Sequence, residues 1–445
     1  MRAFSWLLFL CALAAPAFCQ PVLVEVLPPI SLADAGQGAT YETTVAPPRF
    51  DTDAARISIG FRSSFSANLA PADSSGAVSA SYAAGAFNSG IVVQDRNGNV
   101  LARTKLEDFW STNIAQVYDP RIVYDAKFDR WVMMAITPST MRIAISQSGN
   151  PAGAWNRYSI SIGSIDYSGL AVTRDYVVAV TDRNSFFDSR FILMPRATMY
   201  ATAPGAQLAV TAYNTPEPAA PVATDDSTGA IYAAAGYDDL RLFEITPQGT
   251  ITAGVFSLPL SYTDATVAPQ QGSGGPPLDP GDSYIADAVV RNGQLYAIQS
   301  VAIQGNGASL HTALQWWKWP LGAASADGKV IEDPTGSEWY SYPSIAVNRR
   351  DDVLFAFTTF SPTTFPSFAY ILRDAAGTQS APSVLRAGEH RFLEERWGDY
   401  NTVVVDPANG IDFWAVGMYS ETATQWASWW SRIQLDAPRR RAVRK

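Results

Sequence analysis

Seven times along this chain an apolar stretch ends in a polar residue, breaks briefly and resumes as a second apolar stretch. The copy at residues 344–357 shows it most clearly: Ser344, Ile345, Ala346, Val347 and Asn348, a short polar turn, then the run from Val353 to Phe357. With the last residue of each first stretch as its anchor, the copies fall at Ser79, Asp125, Thr173, Asp225, Arg291, Asn348 and Asp406. Successive gaps are 46, 48, 52, 66, 57 and 58 residues. The partner stretches lie at 82–87, 131–136, 176–181, 230–235, 294–299, 353–357 and 412–418, and a third often follows, as at 141–146, 240–245, 314–319 and 369–373.

A period of this size with three or four short strands per copy is that of a β-propeller blade. One blade cannot bury both faces alone, so neighbours must pack around an axis. No amphipathic helix of ten residues separates the strands, which excludes the barrel and doubly wound α/β folds. The fold class is therefore all-β, a single propeller of seven blades. Six is the alternative, because the first copy is the weakest. The last copy lacks a fourth strand after residues 429–435, and a strand near 56–61 is expected to complete it, removing an exposed sheet edge.

A propeller uses 445 residues as one unit, and an apolar content of 47% is ample for its core. Residues 1–19 read as a secretory leader: Arg2, an apolar run at 6–13, then small residues, with cleavage after Ala17 or Cys19. That run is too short to span a membrane, and no second one follows, so no integral membrane segment is expected. Both cysteines, Cys11 and Cys19, fall in or beside the leader, which leaves the mature chain without a disulfide in a compartment that allows one. Residues 20–56 form a Pro-rich arm, 57–436 the propeller and 437–445 a basic tail. A net charge of −9 argues against a nucleic-acid partner, since phosphate neutralisation needs a basic face. Residues 268–281, rich in Gly and Pro, read as a long loop, either a passive insertion or a cover for one channel mouth.

The first strand of a blade lines the channel, so residues just before it sit at one opening. That position yields Asp119, Asp166, Asp287, Tyr342, Asp399 and Tyr400, with Arg121 and Arg396 close by. Two readings stand side by side: turn residues repeated with the blades, and a ligand site of carboxylates, arginines and phenols. The tryptophans at 316, 317 and 319 and at 426, 429 and 430 read as packing between blades or as carbohydrate platforms. Strand alternation puts Trp317 and Trp319 on one face and Trp316 on the other. His311 and His390 are the only histidines and lie far apart; no nucleotide-binding loop or Cys cluster occurs. No cofactor and no metal is expected. Paired aspartates at 225–226 and 238–239 lack the alternating ligands of a calcium loop.

Several phrases together resemble a group of secreted bacterial β-propeller proteins of the sialidase-like, Asp-box kind: residues 88–98, Asp119 to Asp125 with Trp131, Ile145 with Trp155 to Tyr158, and Trp397 to Tyr400 through Asp406 to Trp414. Ser148 to Trp155 is similar to an Asp-box, with Asn150 at the acidic position. The resemblance implies the propeller fold and a glycan or protein ligand outside the cytoplasm. Sialidases also carry an arginine triad, a Tyr–Glu nucleophile pair and an acidic Asp. This chain has Pro120-Arg121-Ile122 where Arg-Ile-Pro is typical, and neither the rest of a triad nor a Tyr–Glu pair can be assigned. The expected function is a secreted binding or interaction module. The alternative is a sialidase-like glycoside hydrolase, with Asp119, Asp287 or Asp399 as acid–base groups, Arg121 or Arg396 holding an anionic sugar, and Tyr342 or Tyr400 as nucleophile.

Overall fold

The computed structural model describes residues 22–33, 45–46, 49–50, 55–65, 70–111, 117–183, 188–237, 239–257, 267–272, 276–304 and 310–435. Residues 1–19, read above as a leader, residues 437–445 and Asp238 lie outside them. The described chain is a seven-bladed β-propeller of seven sheets, each with four to six strands. The innermost strands, in blade order, are Ser75–Val78, Tyr118–Asp125, Ile165–Val172, Ala219–Pro221, Ile285–Arg291, Trp339–Val347 and Thr402–Val405. The second strands begin within one residue of the positions read from the sequence. Successive strands within a blade pair antiparallel. In the fourth blade the inner edge divides, and Ala223–Thr224 pairs in parallel with the inner strand of the fifth.

The anchors end the inner strands for a local reason. The side chains of Asp125, Asp225, Asn348 and Asp406 accept hydrogen bonds from the backbone N–H two residues on, at 2.8 to 3.1 Å. Such a turn competes with the strand and reverses the chain. Arg291 does not act this way. There Asn292 (φ 49°) and Gly293 (φ 73°) make the tight turn themselves.

Ala55–Phe65 pairs with Trp426–Leu435, so both ends of the propeller segment complete the seventh blade. Val24–Ser31 adds a fifth strand to the outer edge of the second blade, pairing with Ala154–Ser161. Every described tryptophan is buried, at 9% exposure or less. Trp317 and Trp319 pack with Tyr232 and Leu242 of the fourth blade, while Trp316 packs with Tyr340 and Phe355 of the sixth. The tryptophans therefore serve packing between blades, on the two faces that alternation assigned. In the turn from Ser148 to Trp155, the Asn150 side chain accepts from the Ala152 N–H (3.0 Å) and the buried Trp155 indole donates to the Pro151 carbonyl (2.9 Å).

Candidate ligand site at the channel mouth

Counting six residues back from an anchor reaches Asp73, Asp119, Tyr167, Tyr342 and Tyr400 in blades one, two, three, six and seven. Four of these hold left-handed backbone, with φ of 50°, 52°, 60° and 55° for Asp73, Asp119, Tyr167 and Tyr342. At blades two, three and six the pairing slips at this point, so the inner strand bulges as it enters the sheet. A non-glycine residue in this region costs about 1–3 kcal/mol and persists only where its surroundings impose it. The bulge turns each side chain from the strand toward the axis.

The result is a cavity of about 720 Å³ at this mouth. Asp119, Asp166, Tyr342, Arg396, Asp399 and Tyr400, all singled out from the sequence, line it together. Asp73, Asp182, Asp279 and Asp282 complete a wall of seven aspartates. Arg396 forks onto Asp399 at 2.7 and 2.9 Å and reaches Asp279 at 3.6 Å. The Tyr342 hydroxyl donates to the Asp279 carbonyl (2.7 Å), and the Tyr400 hydroxyl faces Asp119 at 3.4 Å. The long loop is docked here. Gln270 exchanges hydrogen bonds with the Phe392 backbone (2.8 and 2.9 Å), the Asp279 N–H donates to the Glu395 carbonyl (2.9 Å), and Ala268 and Leu278 are fully buried. It supplies the Asp279 carboxyl to the mouth, and Asp282 follows just past its end.

Carboxyl groups packed this densely hold protons more tightly than usual. Burial raises Asp73 well above the ordinary carboxyl range, with the Asp119 charge adding. Burial also pushes Asp119 up to about 6, against its hydrogen bond with Asp73. It pushes Asp182 to about 7 against the Ser189 hydroxyl, and Asp399 to about 8, where Asp73 adds and Arg396 opposes. Burial likewise raises the phenols of Tyr342 and Tyr400, with Asp399 and Asp119 respectively next in effect. Both phenols are therefore neutral donors near neutrality.

Arg121 and Asp287 lie deeper. The Arg121 guanidinium stacks 3.4 Å over the Tyr400 ring, with Tyr167 behind it, and donates to the Ser168 carbonyl at 2.8 Å. This stack forms a waist. Below it a second cavity of about 840 Å³ follows the inner strands. Asp287 faces that cavity and accepts from the Ser344 hydroxyl (2.7 Å) and the Ile345 N–H (3.1 Å), clasping the fifth blade to the sixth. Among the described residues no group of three or more Asp, Glu, His or Cys side chains is arranged to hold a metal ion.

Sequence reasoning missed Asp73, Tyr167, Asp182, Asp279 and Asp282. The first two were open to the six-residue rule applied to every copy. Asp182 ends a second strand, and Asp279 and Asp282 sit in a loop whose composition says only that it turns.

No protein-family model matches this chain, and no curated protein matches it. Solved structures do. A protein from Lactobacillus plantarum aligns over 80% of this chain and 98% of its own, with TM-score 0.43 and 10% identity. An ancestral GH74 enzyme aligns over 86% of this chain and 50% of its own, with TM-score 0.49 and 10% identity. An oligogalacturonate lyase in complex with manganese aligns over 89% and 98%, with TM-score 0.46 and 9% identity. At these values no residue's role passes from them to this chain.

Proposed function

We propose that this chain is an extracytoplasmic β-propeller binding module that takes a small polyhydroxylated ligand, the end of a glycan or a free saccharide, into the mouth cavity. The observation that carries the reading is the cavity itself. It has about 720 Å³ of space, carboxyl and phenol groups converge on it, and the backbone that aims them is strained. Carboxylates accept hydrogen bonds from sugar hydroxyls, protonated carboxyls and phenols donate to them, and phenol faces pack on the C–H faces of a ring. A neutral saccharide suits this wall better than an anionic one. Arg396 is engaged by Asp399 and Asp279, and Arg121 is covered by Tyr400. The leader read at residues 1–19 supports a secreted setting, which the N-terminus of the mature chain, sequenced after export, tests.

The alternative is a sialidase-like glycoside hydrolase. What favours it is Asp119, whose proton affinity near pH 6 suits a general acid, with Asp399 and Tyr400 beside it. One experiment separates the two. The purified mature chain and an Asp399→Ala variant are offered a panel of neutral saccharides by calorimetry and the matching fluorogenic glycosides, sialosides included, by turnover. Saccharide binding that weakens at least tenfold in the variant, with no turnover, is expected. Turnover that vanishes in the variant would make the chain a glycosidase, and neither binding nor turnover would remove both readings.

A further inference from the structure

Asp73 and Asp119 are buried acids of the mouth, 1% and 7% exposed, and they belong to adjacent blades. Asn88 ties them together. Its side-chain N–H groups donate to the Asp73 carboxyl (2.5 Å) and to the Pro71 carbonyl (3.2 Å), and its side-chain oxygen accepts from the Asp119 N–H (2.8 Å). The other Asp73 oxygen accepts from the Asp399 N–H (3.1 Å), so this carboxyl also joins the seventh blade to the first. The Ser168 hydroxyl donates to the Asp119 carbonyl (2.6 Å), which carries the connection on to the third blade. The two carboxyl groups lie within hydrogen-bonding reach of each other.

Two carboxylates that close and that buried cannot both ionise cheaply, and they titrate as one unit. The charges around them do not relieve the pair. Asp119, Asp399 and Arg396 face Asp73. Asp73, Asp399, Asp166 and Arg121 face Asp119, with the phenols of Tyr118, Tyr167 and Tyr400 packed beside it. Both arginines are committed elsewhere, Arg396 to Asp399 and Arg121 to the Tyr400 ring.

We propose that Asp73 and Asp119 hold one proton between them, and that this proton locks the seam where the seventh, first and second blades meet. With the proton bound, Asn88, the Asp399 amide and both carboxyl groups form one hydrogen-bonded clasp across three blades. With it lost, two adjacent negative charges push the blades apart at the mouth. That this seam governs ligand entry rests on reading the mouth as the ligand site; the clasp itself does not. The upward shift of both groups agrees with it. A carboxyl whose proton is held more tightly in the folded state contributes stability below its unfolded pKa, lost as pH rises through the folded one.

The test needs no ligand. Side-chain carboxyl carbons of the purified mature chain are titrated by NMR, and amide exchange is followed from pH 5 to 8. Residues 75–78 report the seam and residues 231–235, in the fourth blade, serve as reference. The expected result is a coupled titration of Asp73 and Asp119 with one step at about 6 or above. Seam amides should open faster than the reference by up to about 100-fold once intrinsic base catalysis is divided out, the factor that a two-unit shift supplies. In Asp119→Asn that acceleration shrinks, because the second charge is gone and the introduced side-chain amide can donate to Asp73 as it ionises; Asp73→Asn makes the reciprocal pair should the first variant fold poorly. Two independent titrations near pH 4 in the wild type would overturn the proposal. So would an Asp119→Asn seam that loosens as the wild type does. Failure of saccharide binding alone would remove the ligand reading and leave these outcomes standing.

Discussion

Asp125 does two jobs with one carboxyl group. It accepts the Lys127 N–H that ends its strand, and it meets Arg196 of the third blade, with Nε at 2.7 Å and Nη2 on the other oxygen. Arg196 in turn donates to the Thr173 and Arg174 carbonyls at 2.8 and 2.9 Å. The pair is 1% and 7% exposed, so the solvent does not screen it. Asp125→Asn keeps the turn and leaves a buried guanidinium uncompensated, which is expected to cost about 3–5 kcal/mol. Asp125→Asn combined with Arg196→Met should cost less than Asp125→Asn alone. Urea unfolding of the two variants checks both, and a larger loss in the double variant would show that the charge is not what makes the single one costly. The anchor pattern was legible in the sequence because a turn of this kind needs only one polar side chain at one position. Arg196 as its partner was not, because it arrives from a blade 71 residues away.

At the scale of strands, what the sequence showed depended on side-chain size. The second strands are almost wholly apolar and buried, and their starts were placed to within a residue. The inner strand of the first blade, Ser75–Val78, is built of small ones, so its copy read as weakest and Asp73 beside it was passed over. Smallness has a cause there: a Cβ on Gly76 would sit 2.6–2.7 Å from the Trp430 ring and Val416 of the seventh blade. Val24–Ser31 was hidden by Pro28 and Pro29, which only an edge strand tolerates, and the register slips at that point. The closing strand at Ala55–Phe65 was legible, because a ring with one blade short of a strand must find it elsewhere. That strand buries Ala55, Ile57 and Phe61, and Phe61 lies 6.1 Å from the Trp414 ring. Phe61→Ala is expected to cost about 3–5 kcal/mol, as a full-size cavity at the ring closure does. Removing residues 1–65 should leave the edges of both Trp426–Leu435 and Ala154–Ser161 unpaired and the chain prone to self-association, read by light scattering. A truncated chain that stays monomeric with an unchanged melting temperature would show that the seventh blade closes without this strand.

The two ends of the propeller respond to pH with opposite sign, and that follows from how each was built. At the anchor end, burial opposes ionisation of Asp225 and Asp406, but donors outweigh it: Ser227, the Asn292 amide and Arg291 for the first, Arg96, the Ala408 amide and Trp414 for the second. Both carboxyls are held below the ordinary range. Their stabilisation is present above the unfolded value near 4 and is lost as pH falls through the folded one. At the mouth end burial, with neighbouring acids adding to it, raises Asp119, Asp182 and Asp399 to about 6, 7 and 8. Their stabilisation is complete below 4 and is lost as pH rises from there through 8. The whole molecule should therefore be most stable near pH 4, well acid of neutrality. Melting temperatures from pH 3 to 9 should fall on both sides of that maximum. Asp119→Asn should flatten the alkaline limb, where the Asp119 shift alone is worth up to ~3 kcal/mol. Asp406→Asn should cost more stability at pH 6 than at pH 3, because the wild type loses this contribution as pH falls below the unfolded value near 4. A melting temperature that climbs steadily from pH 5 to 8 would mean that the mouth carboxyls are ionised at little cost. The crowding of acids around the cavity would then have been relieved by something other than protons, and a bound cation would be the first thing to look for.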